Sequence, residues 1–284
     1  MTIFHGLILG IIEGLTEFLP ISSTAHLVLA SDWLRLPSSE FLKTFEISIQ
    51  LGAILAVVVL YWKKIWSSWN LIGKIVTAFI PTAIIGLIFY KIVKNYLLDN
   101  IYIIAGALLL GGAILILFEK YYSRKNAAGR SDKNDSNIVN AGATVASTDA
   151  ANQNLNSLSY KQAGVIGLYQ SLAIIPGVSR AAATIVGGLS LGVSRKNIVE
   201  FSFLLAIPTM AAATGLDLYK SRATLSALSG QDLMIWAVGF VAAFITAIIG
   251  VKFFIKFIQK NNFIPFGWYR IILGVIVFGW LFIK

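Results

Sequence analysis

Glu13-Gly14-Leu15-Thr16-Glu17-Phe18-Leu19-Pro20-Ile21-Ser22-Ser23-Thr24-Ala25-His26 interrupts a strongly apolar sequence with two carboxylates, three successive hydroxyls and an imidazole. On a helix Glu13 and Glu17 share one face with roughly 6 Å of rise between them. Like charges so placed repel unless a cation or a proton sits between them. An ionisable group in the bilayer also costs on the order of 3 kcal/mol by insertion scales, which marks it as functional by default. Pro20 stops the helix, because it lacks an N–H and disfavours helix in Leu19 before it. Ser22, Ser23 and Thr24 are good N-caps for a second helix starting toward His26. A hydroxyl-rich helix start aimed into a membrane suits an anion such as phosphate. Carboxylates able to hold a divalent cation, beside that helix start and a histidine, read as metal-assisted phosphate chemistry.

The rest of the chain agrees with a membrane setting. Of 284 residues 57% are hydrophobic and only 13% charged, with a mean hydropathy of +0.78. Ordinary soluble domains carry about 25% charged residues. Cysteine is absent and His5 and His26 are the only histidines, so any metal is a hard, oxygen-bound cation rather than zinc on thiolates. The net charge of +10 reads as Lys and Arg in short loops, not as a nucleic-acid surface. No Lys or Arg precedes the first apolar segment, so no cleavable signal peptide is expected.

Ile3 to Leu19 as helix is roughly 25 Å long, short of the ~30 Å hydrocarbon core, and Ala25 to Leu34 adds about 15 Å. Two short helices around a polar break predict a re-entrant hairpin over 3–34. Spans are expected at about 43–62, 72–93 and 101–122, which completes a first unit over 1–122. Residues 123–159 turn rich in Asn, Ala and Ser and lose every aromatic. They predict a disordered cytoplasmic loop.

Beyond that loop the pattern recurs over 160–284, with a hairpin at 162–193 broken at Pro176-Gly177-Val178-Ser179-Arg180 and spans at about 198–218, 233–258 and 264–283. Pro20 matches Pro176, Ser23 matches Ser179 and Thr24 matches Arg180. Glu46-Ile47-Ser48 matches Glu200-Phe201-Ser202, and Thr82-Ala83-Ile84-Ile85-Gly86 recurs as Thr246-Ala247-Ile248-Ile249-Gly250. The fold class is therefore all-α and polytopic, an inverted-topology repeat whose halves each hold one re-entrant hairpin and three transmembrane helices. Three spans per half turn the second half upside down. Lys and Arg crowd the side of Lys63, Lys64, Lys120, Arg124, Arg195 and Lys196. Fewer lie on the side of Arg35, Lys43, Lys91 and Lys220. This puts the loop in the cytoplasm and both termini outside.

Under that topology the two hairpin tips meet inside the membrane. Glu13 and Glu17 are the candidate cation ligands, and Arg180 a bidentate phosphate ligand. His26 is the acid, base or nucleophile of phosphoryl transfer. Among Ser22, Ser23 and Thr24 one caps the helix and another binds phosphate or attacks it. Ser23, three before His26, is the preferred partner of the imidazole. Ser179 is a cap or a phosphate ligand. Glu46, Glu200 and Arg270 are intramembrane or interfacial charges with supporting or structural roles.

Glu13-Gly14-Leu15-Thr16-Glu17-Phe18-Leu19-Pro20 with Ser22-Ser23-Thr24 and His26, then Pro176-Gly177-Val178-Ser179-Arg180 and Thr184, resembles the bacitracin-resistance family of undecaprenyl-diphosphate phosphatases. The resemblance extends through Phe45-Glu46, Glu200-Phe201-Ser202 and Asp217-Leu218-Tyr219-Lys220, leaving only 123–159 outside it. It implies a hydrolase of the bacterial inner membrane that removes the terminal phosphate of undecaprenyl diphosphate. Recycling of the lipid carrier for peptidoglycan and envelope polymers follows, as do bacitracin resistance and a need for Mg²⁺ or Ca²⁺. The family's glutamates fall on Glu13 and Glu17, its histidine on His26, its hydroxyl run on Ser22 to Thr24 and its arginine on Arg180. Ala25 stands where the family usually has Gly, and Ala181-Ala182 where it has Ser-Gly. Expected partners are the lipid substrate and membrane lipids, with no nucleic acid and a homodimer left open. The competing class is an inverted-repeat transporter or flippase of a polyprenyl phosphate lipid.

Overall fold

Hydroxyl side chains mark where the chain turns helical. In the computed structural model, which describes residues 1–97, 100–134, 155–226 and 228–283, Thr2 caps α1 (Ile3–Thr16). Ser22 holds the N-cap position of α2 (Ser23–Trp33). Ser39 caps α3 (Glu40–Trp66) and Ser68 caps α4 (Trp69–Ile92). The Thr2, Ser39 and Ser68 oxygens each accept from a backbone N–H that the first turn otherwise leaves orphaned, while the Ser22 side chain makes no such bond. After α5 (Ile101–Asn134), Ser159 caps α6 (Tyr160–Ser171) and Ser179 caps α7 (Arg180–Ser190). Ser194 caps α8 (Arg195–Lys220) and Ser229 caps α9 (Gly230–Ile258), and α10 (Ile264–Ile283) closes the chain.

This is an all-α, polytopic membrane protein. Among the described residues six helices are long and apolar enough to cross a membrane, namely α3, α4, α5 up to Arg124, α8, α9 and α10 up to Leu281. Their bounds extend the expected spans by a few residues at the ends. The largest departure is α5, expected to stop at 122 but helical to Asn134. Its added turns hold two each of Ala, Lys and Arg, good helix formers, among as many Ser, Asn, Gly and Asp. The expected loop thus begins in helix and ends in a short 3₁₀ turn at Leu155–Ser157, while 135–154 lie outside the described residues. The first helix also ends sooner than Leu19, at Thr16, and residues 17–21 form turns.

Packing follows the small residues. Gly6, Gly10 and Gly14 form one stripe on α1, and a Cβ at each would strike the α9 backbone or side chains at Ile235, Gly239 and Ala243–Thr246. Between helices in lipid, close approach of backbones replaces the hydrophobic drive, so a four-residue glycine spacing is an interface. Likewise α6 lies on α4 through Gly167 against Ala78, and α5 on α10 through Gly112 against Gly267. The first helix of each broken pair therefore rests on a long helix from the other half of the chain. Phe18, Phe203, Phe254 and Phe266 interlock edge to face beside the breaks, with Phe18–Phe203 and Phe254–Phe266 centroids each 5.3 Å apart.

Gly10→Leu is expected to lift α1 from α9 and cost about 1–3 kcal/mol through overpacking. Thermal unfolding in detergent reads this directly. Gly106→Leu, at a glycine with open space around it, serves as the control and should melt like the parent.

Candidate active site

Pro20 and Pro176 place two chain breaks against each other. After the first, Ser22 takes a left-handed backbone (φ 71°) and α2 begins at once. After the second, Gly177 supplies a positive φ of 89°, and its missing side chain lets the turn sit on the Ile104 carbonyl of α5. Ser179 accepts from the Ala182 N–H and donates to the Leu19 carbonyl at 3.4 Å. That last contact ties the start of α7 to the first break.

Arg270 joins both breaks from α10. Its guanidinium donates to the Pro20 carbonyl at 3.4 Å, to Gly177 at 3.1 Å and to Ala107 of α5 at 3.0 Å. It is 1% exposed, the largest fully buried side chain among the described residues. Turn carbonyls have no helix partner of their own, so a forked, permanently charged donor is what such a junction needs.

At this junction stand the chemical groups. Glu17 accepts a hydrogen bond from the Ser23 hydroxyl on one oxygen and, on the other, one from Arg180 at 3.3 Å. A second guanidinium nitrogen of Arg180 donates to the Ser202 carbonyl at 2.7 Å, and its Nε is left without a partner. Thr184, one turn along α7, donates to the Ser202 hydroxyl at 2.6 Å and braces that contact. Glu13 is wholly buried, within electrostatic reach of Glu17, Glu46 and Arg180. Neither of its carboxylate oxygens has a hydrogen-bond partner.

His26 lies one turn into α2. Its Nδ1–H donates to the Ser22 carbonyl at 2.7 Å, and Nε2 pairs with the Tyr269 hydroxyl at 2.7 Å. The two rings lie parallel, 3° apart, with centroids at 5.6 Å. Ser23 is thus bonded to Glu17 and not to His26, as its helical spacing had led us to expect. The turns at 17–21 fold Glu17 back over the start of α2, where it reaches Ser23 first. Thr24 is half-buried in the same turn. Glu46 accepts from Ser31 at 2.5 Å and Glu200 pairs with Lys64, so both charges have structural partners.

Comparison with known proteins agrees with these motifs. The family model described as bacitracin resistance protein BacA matches residues 6–276. The chain belongs to that family. Relatives called undecaprenyl-diphosphatase include one from Sulfurihydrogenibium sp. (strain YO3AOP1), 48% identical over 280 residues, which are 99% of this chain and all of the relative. The protein of Wolinella succinogenes is 48% identical over 99% of both chains, and that of Aquifex aeolicus 43% over 97% of both. Within this bacitracin-resistance chain, sequence reading missed Tyr269 and Ser202 as parts of the site. Ser202 had a signal, since the Glu-x-Ser repeat contains it. Tyr269 had only its place beside Arg270.

Proposed function

We infer that this chain is an integral-membrane phosphatase that hydrolyses undecaprenyl diphosphate to undecaprenyl phosphate and inorganic phosphate. It thereby recycles the lipid carrier and confers bacitracin resistance. Near full-length similarity to undecaprenyl-diphosphatases names the reaction. The observation that carries it in the geometry is Ser23 donating to Glu17 while Glu17 holds Arg180. A hydroxyl hydrogen-bonded to a carboxylate is an activated nucleophile. Ser23 attacks the terminal phosphorus and yields its proton to Glu17. Arg180, with the unfilled Nε and the starts of α2 and α7 beside it, stabilises charge on the transferring phosphoryl group. Ser22, Thr24 and Ser179 line the same helix starts and bind the phosphate oxygens. His26 serves the reaction as acid and base.

A divalent cation, Mg²⁺ or Ca²⁺, fits the donors present. Among the described residues no three His, Asp or Glu side chains converge, but such ions are commonly held by one or two carboxylates together with substrate phosphates. Glu13, buried with its carboxylate against that of Glu17 and no other donor on either oxygen, would hold the ion with Glu17 beside it. Bound there, it would screen the diphosphate charge and polarise phosphoryl oxygens.

The two halves form an inverted repeat in this reading, with 3–34 and 162–193 as re-entrant hairpins and the site open to the outer face. Support comes from a matched pair of contacts. Thr82 of α4 donates to the Gly167 carbonyl at 3.0 Å, and the Thr246 hydroxyl of α9, which donates to Ala242 of its own helix at 2.7 Å, also approaches the Ile11 carbonyl at 3.4 Å. Thr82 and Thr246 are equivalent in the repeated Thr-Ala-Ile-Ile-Gly, and Ile11 and Gly167 lie equally far before Pro20 and Pro176. The excess of Lys and Arg on the opposite side supports a cytoplasmic 123–159 and outward termini.

The test is phosphate release from undecaprenyl diphosphate by purified protein in detergent, with Mg²⁺ or Ca²⁺ and with excess EDTA. Release that EDTA abolishes is expected, and Glu13→Gln should raise the cation concentration for half-maximal rate about 10–100-fold. No release from folded, lipid-binding protein would favour a carrier of the same lipid. Release indifferent to EDTA would remove the cation.

A further inference from the structure

The leaving end of the reaction needs a proton that His26 can deliver only through another group. Glu17 takes the proton of Ser23, yet the departing lipid phosphate gains charge on the oxygen that bridged the two phosphorus atoms. His26 is one turn beyond Ser23 on the same side of α2, about 4.5 Å further along the axis. In-line displacement sets attacking and leaving oxygens on opposite sides of phosphorus, so acid and base must stand apart across the group in this way. His26 cannot serve Ser23 directly, because Nδ1 is tied to the Ser22 carbonyl and Nε2 to Tyr269.

We propose that Tyr269 is a catalytic residue whose phenol, hydrogen-bonded to His26, protonates the lipid-phosphate leaving group. The partner set of His26 admits both of its protonation states without movement. As imidazolium it donates from Nδ1 to a carbonyl and from Nε2 to the phenolic oxygen, which frees the phenolic O–H to point at a third group. As neutral imidazole it accepts that O–H on Nε2. Tyr269 is 43% exposed on α10, flanked by the exposed apolar Trp268 and Ile272, an apolar flank that suits an isoprenoid chain. Arg270, next to it in sequence, is anchored to both chain breaks, so the phenol is held in register with the site.

This role rests on the phosphatase reading above, and the steps balance. In the first, the Ser23 Oγ–P bond forms and the P–O bridge breaks. The Ser23 proton passes to Glu17, the Tyr269 proton to the leaving oxygen, and the His26 Nε2 proton to the Tyr269 oxygen. In the second, water attacks the phosphoserine. Its proton returns through Tyr269 to His26, and Ser23 recovers its own from Glu17.

The test compares undecaprenyl diphosphate with its analogue carrying sulfur at the bridging position, a leaving group that needs no proton. Tyr269→Phe keeps the ring stacked on His26 and removes only the hydroxyl. With the oxygen bridge its kcat is expected to fall about 10²-fold, with KM unchanged. With the sulfur bridge, first-turnover release of the lipid thiophosphate, which precedes the water step, should run within a few-fold of the parent. His26→Gln should show the same rescue by sulfur, since the relay passes through both residues. An equal loss of first-turnover release on both substrates would make Tyr269 a packing or binding residue, and full activity with the oxygen bridge would remove it from the reaction. Failure of the parent itself to release phosphate from the natural lipid would instead overturn the phosphatase assignment, and this role with it.

Discussion

Arg180→Lys lowers phosphate release from undecaprenyl diphosphate by about 10²–10³-fold, the usual consequence of losing one pre-aimed donor to a developing charge. The charge survives the substitution, but the fork does not. In the parent one nitrogen of Arg180 reaches Glu17, another reaches the Ser202 carbonyl, and Nε has no partner. An ammonium on a flexible stem can satisfy one of these directions at a time. The loss should fall on kcat, because the interaction strengthens only as the phosphoryl group separates. Insertion into the membrane should be unaffected. A variant that turns over normally would remove Arg180 from the site.

Arg270→Met is expected to be the most destabilising single change near the junction. Methionine fills much of the volume, yet the Pro20 and Gly177 carbonyls both lose their donor. At about 1–3 kcal/mol for each buried carbonyl left unpaired, the cost is about 2–6 kcal/mol. In a chain of this size that corresponds to a fall in melting temperature of about 10 °C. Activity should fall with it, since the starts of α2 and α7 are no longer fixed to one another. Arg270→Lys should recover only part of the loss, because one ammonium cannot bridge two turns. Unchanged melting would show that the junction stands without the clamp.

Some of this arrangement was readable before any coordinates. The proline breaks, the hydroxyl-led helix starts and the repeat bring Glu17, Ser23 and Arg180 to one place, and they do converge. Each carries a local signature: a carboxylate in an apolar helix, a cap residue, a cation after Pro-Gly. Other contacts left no such mark. Ser23 choosing Glu17 over His26 depends on how the turns at 17–21 fold back, which spacing along a helix does not convey. Tyr269 reaches His26 across 243 positions, and an aromatic in a final span looks like any membrane anchor. The role of Arg270 was hidden differently. Its partners are backbone carbonyls, which every sequence has everywhere. The added length of α5 beyond 122 left no mark either, since residues 123–134 mix Ala, Lys and Arg with as many Ser, Asn, Gly and Asp.

The seating of α1 on α9 has a consequence for biogenesis. Chain growth delivers Ile3–Thr16 more than 200 residues before Gly230–Ile258, so a ribosome that has made α1, α2 and α3 has not yet made the helix that meets the glycine stripe of α1. Two glutamates must therefore wait in the translocation channel or at the membrane surface until most of the protein exists. Contacts this distant in sequence are slow to form. The final seat of α1 is therefore complete only once α9 has been made, long after α1 itself.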